Sequence, residues 1–530
     1  MNTVMGERAS SERKWREIQS AFASALKSAI RNPSSPRLLK PDIIKKLELE
    51  YNLWCPLCEH FAPNPFEEER GDGSTSINYP YPIAQKHIRA CVESRSSMQQ
   101  ETLGFQVKTA LLTPSTYQNE NGVCAMLTKS MEKLYDAEYG ARSSLILRKK
   151  ALVRELAESA VTNCDVLPKG TRVVVFGSSA NGFGSPNSDL DMCLQLPQGA
   201  VLLGEEGTDA MGNLADKLEE AGMLNVDTAR LTARIPVIKF DCRVEVEGNE
   251  SVIECDISMQ NPLACINTSL LQSYSTITPE VRIIAAIVKR WAKRRNINDP
   301  SHHTLSSYGY IIMLLHFMTT HAAADNGGIE TIFNRKQGGC PLLPNLQWMD
   351  QRWLQGSPGT QYAEWQQKPS NQYTAMKHPT EEGYVVNTYF LRINDQSVHS
   401  ALRQKIESST TKNPPVGYLL AAFFKYYAFH FDYKKHIVSL NAISRSGPIE
   451  REAKAESDGW KLFGQSLSIE DPFEEFYDVA HVLKPLNFQR TKKEFAFAYS
   501  KIVSCMSKQQ DNLDADALLD AICEDYVEVK

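Results

Sequence analysis

Two short segments constrain this chain more than any other part of it: Phe176-Gly177-Ser178-Ser179 and, eleven residues on from Ser178, Asp189-Leu190-Asp191. The first continues Val173-Val174-Val175, a β-branched run that suits a buried strand, and Gly177-Ser178 ends that run where a helix can begin. A glycine permits close backbone approach, and a serine hydroxyl beside free helix-start N–H groups can hold phosphate oxygens. Asp189 and Asp191 stand two apart on a second strand, where period-two geometry puts both carboxylates on one face. Two adjacent carboxylates repel unless a cation lies between them, so a divalent metal is their natural partner. Either half alone is commonplace, as a simple turn or a solvated strand edge. Together, flanked by apolar strands, they point to nucleotide chemistry.

Gly177-Ser178 with Asp189 and Asp191 resembles the signature of the DNA polymerase β-like nucleotidyltransferases, and that resemblance implies a third acidic residue from a later strand. Val252-Ile253-Glu254-Cys255-Asp256-Ile257-Ser258 alternates apolar and polar positions and offers Asp256, with Glu254 on the same face as the competing candidate. Asp256 is preferred because the residues after it, Asn261-Pro262-Leu263-Ala264 and Asn267-Thr268, resemble the terminal uridylyltransferase branch in order and spacing. Three later blocks extend the resemblance over residues 120 to 505: Val288 to Arg295, Thr304 to Tyr310 and Ile469 to Glu474.

The resemblance implies an α+β architecture: a polymerase β-like catalytic domain with a mixed sheet, a mostly helical poly(A)-polymerase-associated domain, and ahead of them a small zinc finger. Its implied activity is template-independent addition of UMP from UTP to RNA 3′-hydroxyl ends. Mg²⁺ or Mn²⁺ held by Asp189, Asp191 and Asp256 would activate the 3′-hydroxyl and neutralise the departing pyrophosphate. The nucleotide would meet Phe176, Gly177, Ser178 and Ala264 at the turn side, Asn267 and Thr268 at the sugar, and Lys289 and Lys293 at the β- and γ-phosphates. Ser307 and Tyr308 match the nucleobase-binding pair, where a tyrosine face can stack any base. Asp471 and Glu474 match two acids that read uracil, whose N3–H is a donor where adenine has an acceptor. Some uridylyl members carry a histidine six residues after the matching aspartate; here that place is Tyr477, so ATP remains the rival substrate.

Cys55-Pro56-Leu57-Cys58, followed after 28 residues by His87 and then Cys91, supplies four tetrahedral zinc ligands, with His60 able to substitute for one. The alternative is a set of buried or free thiols. The 12 cysteines are otherwise scattered, which suits a reducing compartment. No run reaches the roughly 18 apolar residues of a membrane span. The first 46 residues hold ten Lys or Arg, but Glu7, Glu12 and Glu17 weigh against a transit peptide, so the expected location is cytoplasmic with the mitochondrion as rival. Net charge is −5, so there is no global basic field; Lys289 to Arg295 concentrates five cationic residues instead.

The chain is therefore expected to divide into a basic extension (1–46), the finger (47–97), bracing helices (98–164), the catalytic domain (165–275), the helical domain (276–505) and an acidic surface helix (506–530). Within the helical domain a polar, Pro- and Gly-rich insertion, about 322–415, is expected to pack on the helices and to carry one or two short ones. Expected partners are single-stranded RNA 3′ ends and UTP, with protein partners through the finger or the insertion, and no membrane. Two other readings stay open: a nucleotidyltransferase acting on a non-RNA acceptor, and an inactive RNA-binding scaffold.

Overall fold

The computed structural model describes residues 54–55, 60–61 and 122–526. Within the last range it omits 187, 203, 234, 324–327, 335–339, 349–352, 354–371, 376–383, 393–399, 411–412, 443–446, 461–465 and 507–513. The chain splits into two compact units, Met1–Ala110 and Leu111–Lys530. In the first, β1 (Trp54–Cys55) and β2 (His60–Phe61) form a two-residue antiparallel hairpin that pairs Cys55 with His60 along the backbone. Cys58, His87 and Cys91, the other three ligands expected for zinc, lie outside the described residues.

The second unit opens with α1 (Val123–Tyr139) and α2 (Ala141–Thr162). They lead to a five-stranded sheet of β3 (Arg172–Val175), β4 (Leu190–Gln195), β5 (Leu224–Arg230), β6 (Val237–Val246) and β7 (Asn249–Ser258), with α3 (Gly204–Glu220) between β4 and β5. Strand order is β3-β4-β7-β6-β5. Only β4 and β7 run parallel, so the sheet is mixed, as expected. Its two faces follow from the period of two. Ile238, Phe240, Cys242 and Val244 of β6, Ile253, Cys255 and Ile257 of β7, and Met192 and Leu194 of β4 bury one face under α2 and α3, against residues such as Val153, Ala157, Met211 and Leu214. Each such side chain contributes about 1.5–3 kcal/mol. The intervening positions, Asp191, Lys239 and Asp256 among them, are left on the other face.

From there the chain is helical: α4 (Pro262–Ile277), α5 (Pro279–Arg294) and α6 (Ser307–Thr320). The Asn261 side chain caps α4 and the Ser306 side chain caps α6, each accepting from a backbone N–H three residues on. The insertion does not form helices alone. Its described residues make two antiparallel hairpins, β8 (His321–Ala323) with β9 (Ile329–Thr331) and β10 (Gln372–Ala375) with β11 (Tyr384–Asn387), before α7 (Ser400–Thr410). The aromatic and β-branched run Tyr384-Val385-Val386 is a strand signal that the polar composition around it masked.

α8 (Val416–Lys425) and the long α9 (Pro485–Met506) complete the helical core. Trp291 of α5 sits at its centre, with Tyr310, Phe424 and Phe495 rings 5.9, 5.0 and 4.9 Å away. The acidic end is more than a surface helix. α10 (Ala515–Ile522) buries Leu518, Leu519 and Ile522, Asp516 pairs with Lys133 of α1 at 2.5 Å, and Asp525 pairs with Arg294 at 3.1 Å. Asp516, Glu524 and Asp525 thus meet basic partners on α1, α5 and α9. Among the described residues no helix is long and apolar enough to cross a membrane.

Candidate active site

The strand β3 ends at Val175, and the backbone turns through a short 3₁₀ segment, Gly177–Ser179, in place of a longer helix. Gly177 has φ +67°, and a Cβ there would collide with the Asp191 carboxylate, so both conformation and contact require glycine. Asp189 comes one residue before β4 begins, whereas Asp191 lies within it. Phe176 N–H donates to the Asp191 carbonyl at 3.0 Å, which ties the turn to the strand carrying the acids.

Asp191 and Asp256 are direct partners across the parallel β4–β7 pair. Glu254 faces Asp241 of β6 instead and is exposed, so Asp256 is the residue beside Asp191. The Asp191 carboxyl is pushed up to about 6, first by burial and then by the negative charges of Asp256 and Asp189. Lys239, across the β6–β7 pair from Asp256, meets both of its oxygens at 2.9 and 2.7 Å. With Asp256 so engaged, no three His, Cys, Asp or Glu side chains among the described residues close around a single point. The donor set nonetheless fits a hard divalent cation. It is all oxygen, it holds carboxylates against their mutual repulsion, and it already draws one ammonium.

Lys150, which sequence reasoning did not select, reaches this site from α2. Its buried ammonium donates to Ser179 Oγ at 2.8 Å and to the Ser188 carbonyl at 2.6 Å, fastening both ends of the loop between the turn and Asp189. Burial lowers its pKa while Asp189 and Asp191 pull it back up. Nothing in the local sequence separates it from its neighbour Lys149, which serves Asn249 and Ser251.

Helix α4 joins this half of the site to the other. Thr268 Oγ1 accepts the Gly177 N–H at 2.8 Å and donates to the Ala264 carbonyl at 2.8 Å, so this hydroxyl is occupied in holding the turn. The next residue back, Asn267, accepts from the Tyr308 hydroxyl at 3.0 Å and donates to Asp471 Oδ2 at 3.4 Å. Tyr308 OH also lies 2.9 Å from the same Asp471 oxygen. The other Asp471 oxygen accepts the N–H groups of Phe473 and Glu474 at 2.9 and 3.0 Å, shaping the turn that presents Glu474. Burial and the Asp471 charge hold the Tyr308 phenol well above its ordinary range. Ser307, at the start of α6, accepts from Asn298 at 2.9 Å. The Tyr477 carbonyl accepts from the Asp471 N–H at 3.2 Å, while the residue is 41% exposed and its ring pairs with that of His481 at 5.2 Å.

Lys289 of α5 donates to the Phe183 carbonyl at 2.5 Å, in the loop that follows the turn. Burial, then the charges of Lys150 and Lys293, push its pKa down to about 8. Lys293 lies one helical turn on and is exposed. Paired acids on the sheet, two lysines on α5 and an Asn–Tyr–Asp network joined through α4 are the groups that a nucleoside triphosphate calls for.

Comparison with known proteins gives that arrangement relatives. Residues 127–276 match the model of the central palm domain of mitochondrial-like poly(A) RNA polymerase, and residues 415–475 match that of the Cid1 family poly(A) polymerases. Two separate segments of the chain thus match domain models of poly(A) polymerase-like nucleotidyltransferases. Poly(A) RNA polymerase GLD2-A of Xenopus laevis is 27% identical over 63% of this chain and 52% of its own length. Terminal uridylyltransferase cid1 of Schizosaccharomyces pombe is 26% identical over 63% of this chain and 69% of its own. The chain thus spans about half the length of the GLD2 relatives that it matches. A crystal structure of the Cid1 poly(U) polymerase with MgGTP superposes with a TM-score of 0.53 at 22% identity, covering 75% of this chain and 98% of that one. That superposition establishes the polymerase β-like fold, with its mixed sheet and helical C-terminal region. The sequence relatives include both terminal uridylyltransferases and poly(A) RNA polymerases, so this similarity alone leaves the base open.

Proposed function

We propose that this nucleotidyltransferase adds UMP from UTP to single-stranded RNA 3′ ends without a template. The observation that carries the reading is the double duty of α4: Thr268 locks the Gly177 turn beside the paired Asp191 and Asp256, while Asn267, one residue away, locks the Tyr308–Asp471 base network. One helix thereby sets the separation between the phosphate end and the base end of the cleft, a distance that a nucleoside triphosphate must span.

Asp189, Asp191 and Asp256 would hold Mg²⁺, which when bound supplies Lewis-acid activation of the 3′-hydroxyl and neutralises phosphate charge. The chain's own groups perform the rest. The Gly177–Ser179 turn cradles phosphate oxygens, and Lys289 and Lys293 oppose the β- and γ-phosphates. Tyr308 offers a ring face to the base, and Asp471 keeps the 471–474 turn shaped so that Glu474 can accept a base N–H. Structures of Cid1 with the UTP analogue UMPNPP and with its product ApU support an RNA end and a uridine nucleotide as the ligands of such a cleft.

A second reading, addition of AMP from ATP, draws on Tyr477. Its ring turns toward His481 and solvent, so it crowds the pocket less than a bulky residue at that place would suggest. Extension of a labelled single-stranded RNA with each nucleoside triphosphate separately, with Asp189→Ala as control, decides between them. Extension chiefly with UTP is expected, and extension chiefly with ATP would replace the first reading by the second. For the Cys55, Cys58, His87 and Cys91 quartet we propose structural zinc, tested by metal content of Cys55→Ser beside wild type. Equal zinc in both would remove that site.

A further inference from the structure

We propose that Tyr384, on the inserted hairpin, is a base-specificity residue that acts by holding Glu474; this rests on the reading above that Glu474 faces the base. Tyr384 opens β11 and is 90 residues from Glu474 in sequence, yet its hydroxyl donates to Glu474 Oε1. Its ring meets Phe476 edge to face, with centroids 4.7 Å apart and planes at 88°. The surrounding insertion grips the same loop at other points. Gln347 Nε2 donates to the Pro472 carbonyl at 2.8 Å, and the Phe390 ring lies 6.2 Å from that of Phe473. Leu391 N–H donates to the Leu346 carbonyl at 2.8 Å, which ties these two bracing segments together.

The chemistry of the two acids explains why this contact bears on the base. Both oxygens of Asp471 are already engaged, one by backbone N–H groups and the other by Tyr308 and Asn267, so its orientation is settled from within the pocket. Glu474, half-buried and with a longer side chain, is instead held by a phenol from a different part of the chain. A phenol donor on a carboxylate favours the ionised form and fixes which lone pairs face outward. An ionised, oriented carboxylate accepts an N–H such as uracil N3–H and repels a ring nitrogen lone pair such as adenine N1. Discrimination between the two bases therefore depends on a residue outside the two domains that the family models match.

Tyr384→Phe removes one hydroxyl and keeps the ring packing, so it isolates the hydrogen bond. The measurement is kcat/KM for UTP and for ATP with one single-stranded RNA, in wild type, Tyr384→Phe, Glu474→Gln and the double variant. Tyr384→Phe is expected to narrow the UTP-to-ATP ratio by about tenfold, mainly through the KM for UTP, as loss of a charge-assisted hydrogen bond would. It should add nothing in the Glu474→Gln background, because the two act as one unit. An unchanged ratio, or an equal loss with both nucleotides, would overturn the proposal. If Glu474→Gln itself left the ratio unchanged, the base-reading role of Glu474 would fall. If Glu474→Gln narrowed it and Tyr384→Phe did not, only the role of Tyr384 would fall.

Discussion

The acidic floor of the cleft and its base-reading wall are built in opposite ways. The floor is a matter of register: once β4 and β7 pair in parallel, Asp191 must stand beside Asp256, and the helices behind the sheet enforce that pairing because a one-residue slip would turn Ile253, Cys255 and Ile257 out of the core. The wall is assembled from afar. Asn267 and Asp471 are 204 residues apart in sequence, and Tyr308 and Asp471 are 163 apart. Register tolerates a poor electrostatic fit, and the floor is accordingly under stress, with the Asp191 carboxyl held near 6. The wall has to hold distant segments together, and it is correspondingly saturated with partners.

Beneath the wall lies its anchor. Glu470, next to Asp471, is fully buried in an ion pair with the equally buried Lys454, which also pairs with Asp458 and donates to the Glu475 carbonyl at 2.7 Å. Asn441 donates to Glu470 at 3.0 Å, and Ser439 donates to the same oxygen. On the floor, among the described residues, Asp256 has the single ammonium of Lys239.

That contrast can be broken most sharply at the floor. Asp191→Ala should lower RNA extension by about a thousandfold or more, yet its melting temperature should not fall below wild type, because the substitution removes a carboxylate that burial and two like charges disfavour. Lower stability with retained extension would show that the floor is structural. At the wall the signs reverse. Lys454→Met should cost about 3–5 kcal/mol in denaturant unfolding, since it strands Glu470 in the interior, and Glu470→Gln added to it should recover part of the loss. A cost under about 1 kcal/mol would mean that the pair does not anchor the wall.

The smallest effect expected is at Lys289, on the wall that faces the phosphates. Its pKa is lowered from 10.5 to about 8, so the ammonium is present below pH 8 and lost as pH rises through that value. The kcat/KM for nucleoside triphosphate should therefore fall by several-fold to about tenfold above pH 8, and Lys289→Arg should abolish that inflection because its guanidinium stays charged. Stability should move the other way between about pH 8 and 10.5, where the unfolded chain binds the proton and the folded one does not. A flat kcat/KM profile in wild type would remove Lys289 from triphosphate binding.

Much of the floor was legible before any coordinates. Val173 to Val175, the Gly177 turn and the alternation around Asp256 are local patterns whose geometry follows from period and propensity. Lys150 and Lys239 were not legible, because a lysine aimed at a carboxylate cleft has the same sequence surroundings as one aimed at water. The β10–β11 hairpin was hidden by the polar stretch around it, and with it the contact of Tyr384 with Glu474.

By itself, then, the sequence determined the elements and the chemistry they carry: strands that expose aspartates on alternate positions, a glycine where only glycine fits, and a helix whose last turn gathers Lys293 and Arg294. Those properties depend on neighbours a few residues away, and neighbours are what a sequence records. Only the tertiary structure decided that α4 couples the phosphate turn to the base pocket, that Lys454 and Glu470 lie buried under it, and that a residue of the insertion reaches the base-reading loop. These are contacts between segments tens to hundreds of residues apart, chosen by packing and by the need to satisfy buried polar groups, and no local pattern encodes them.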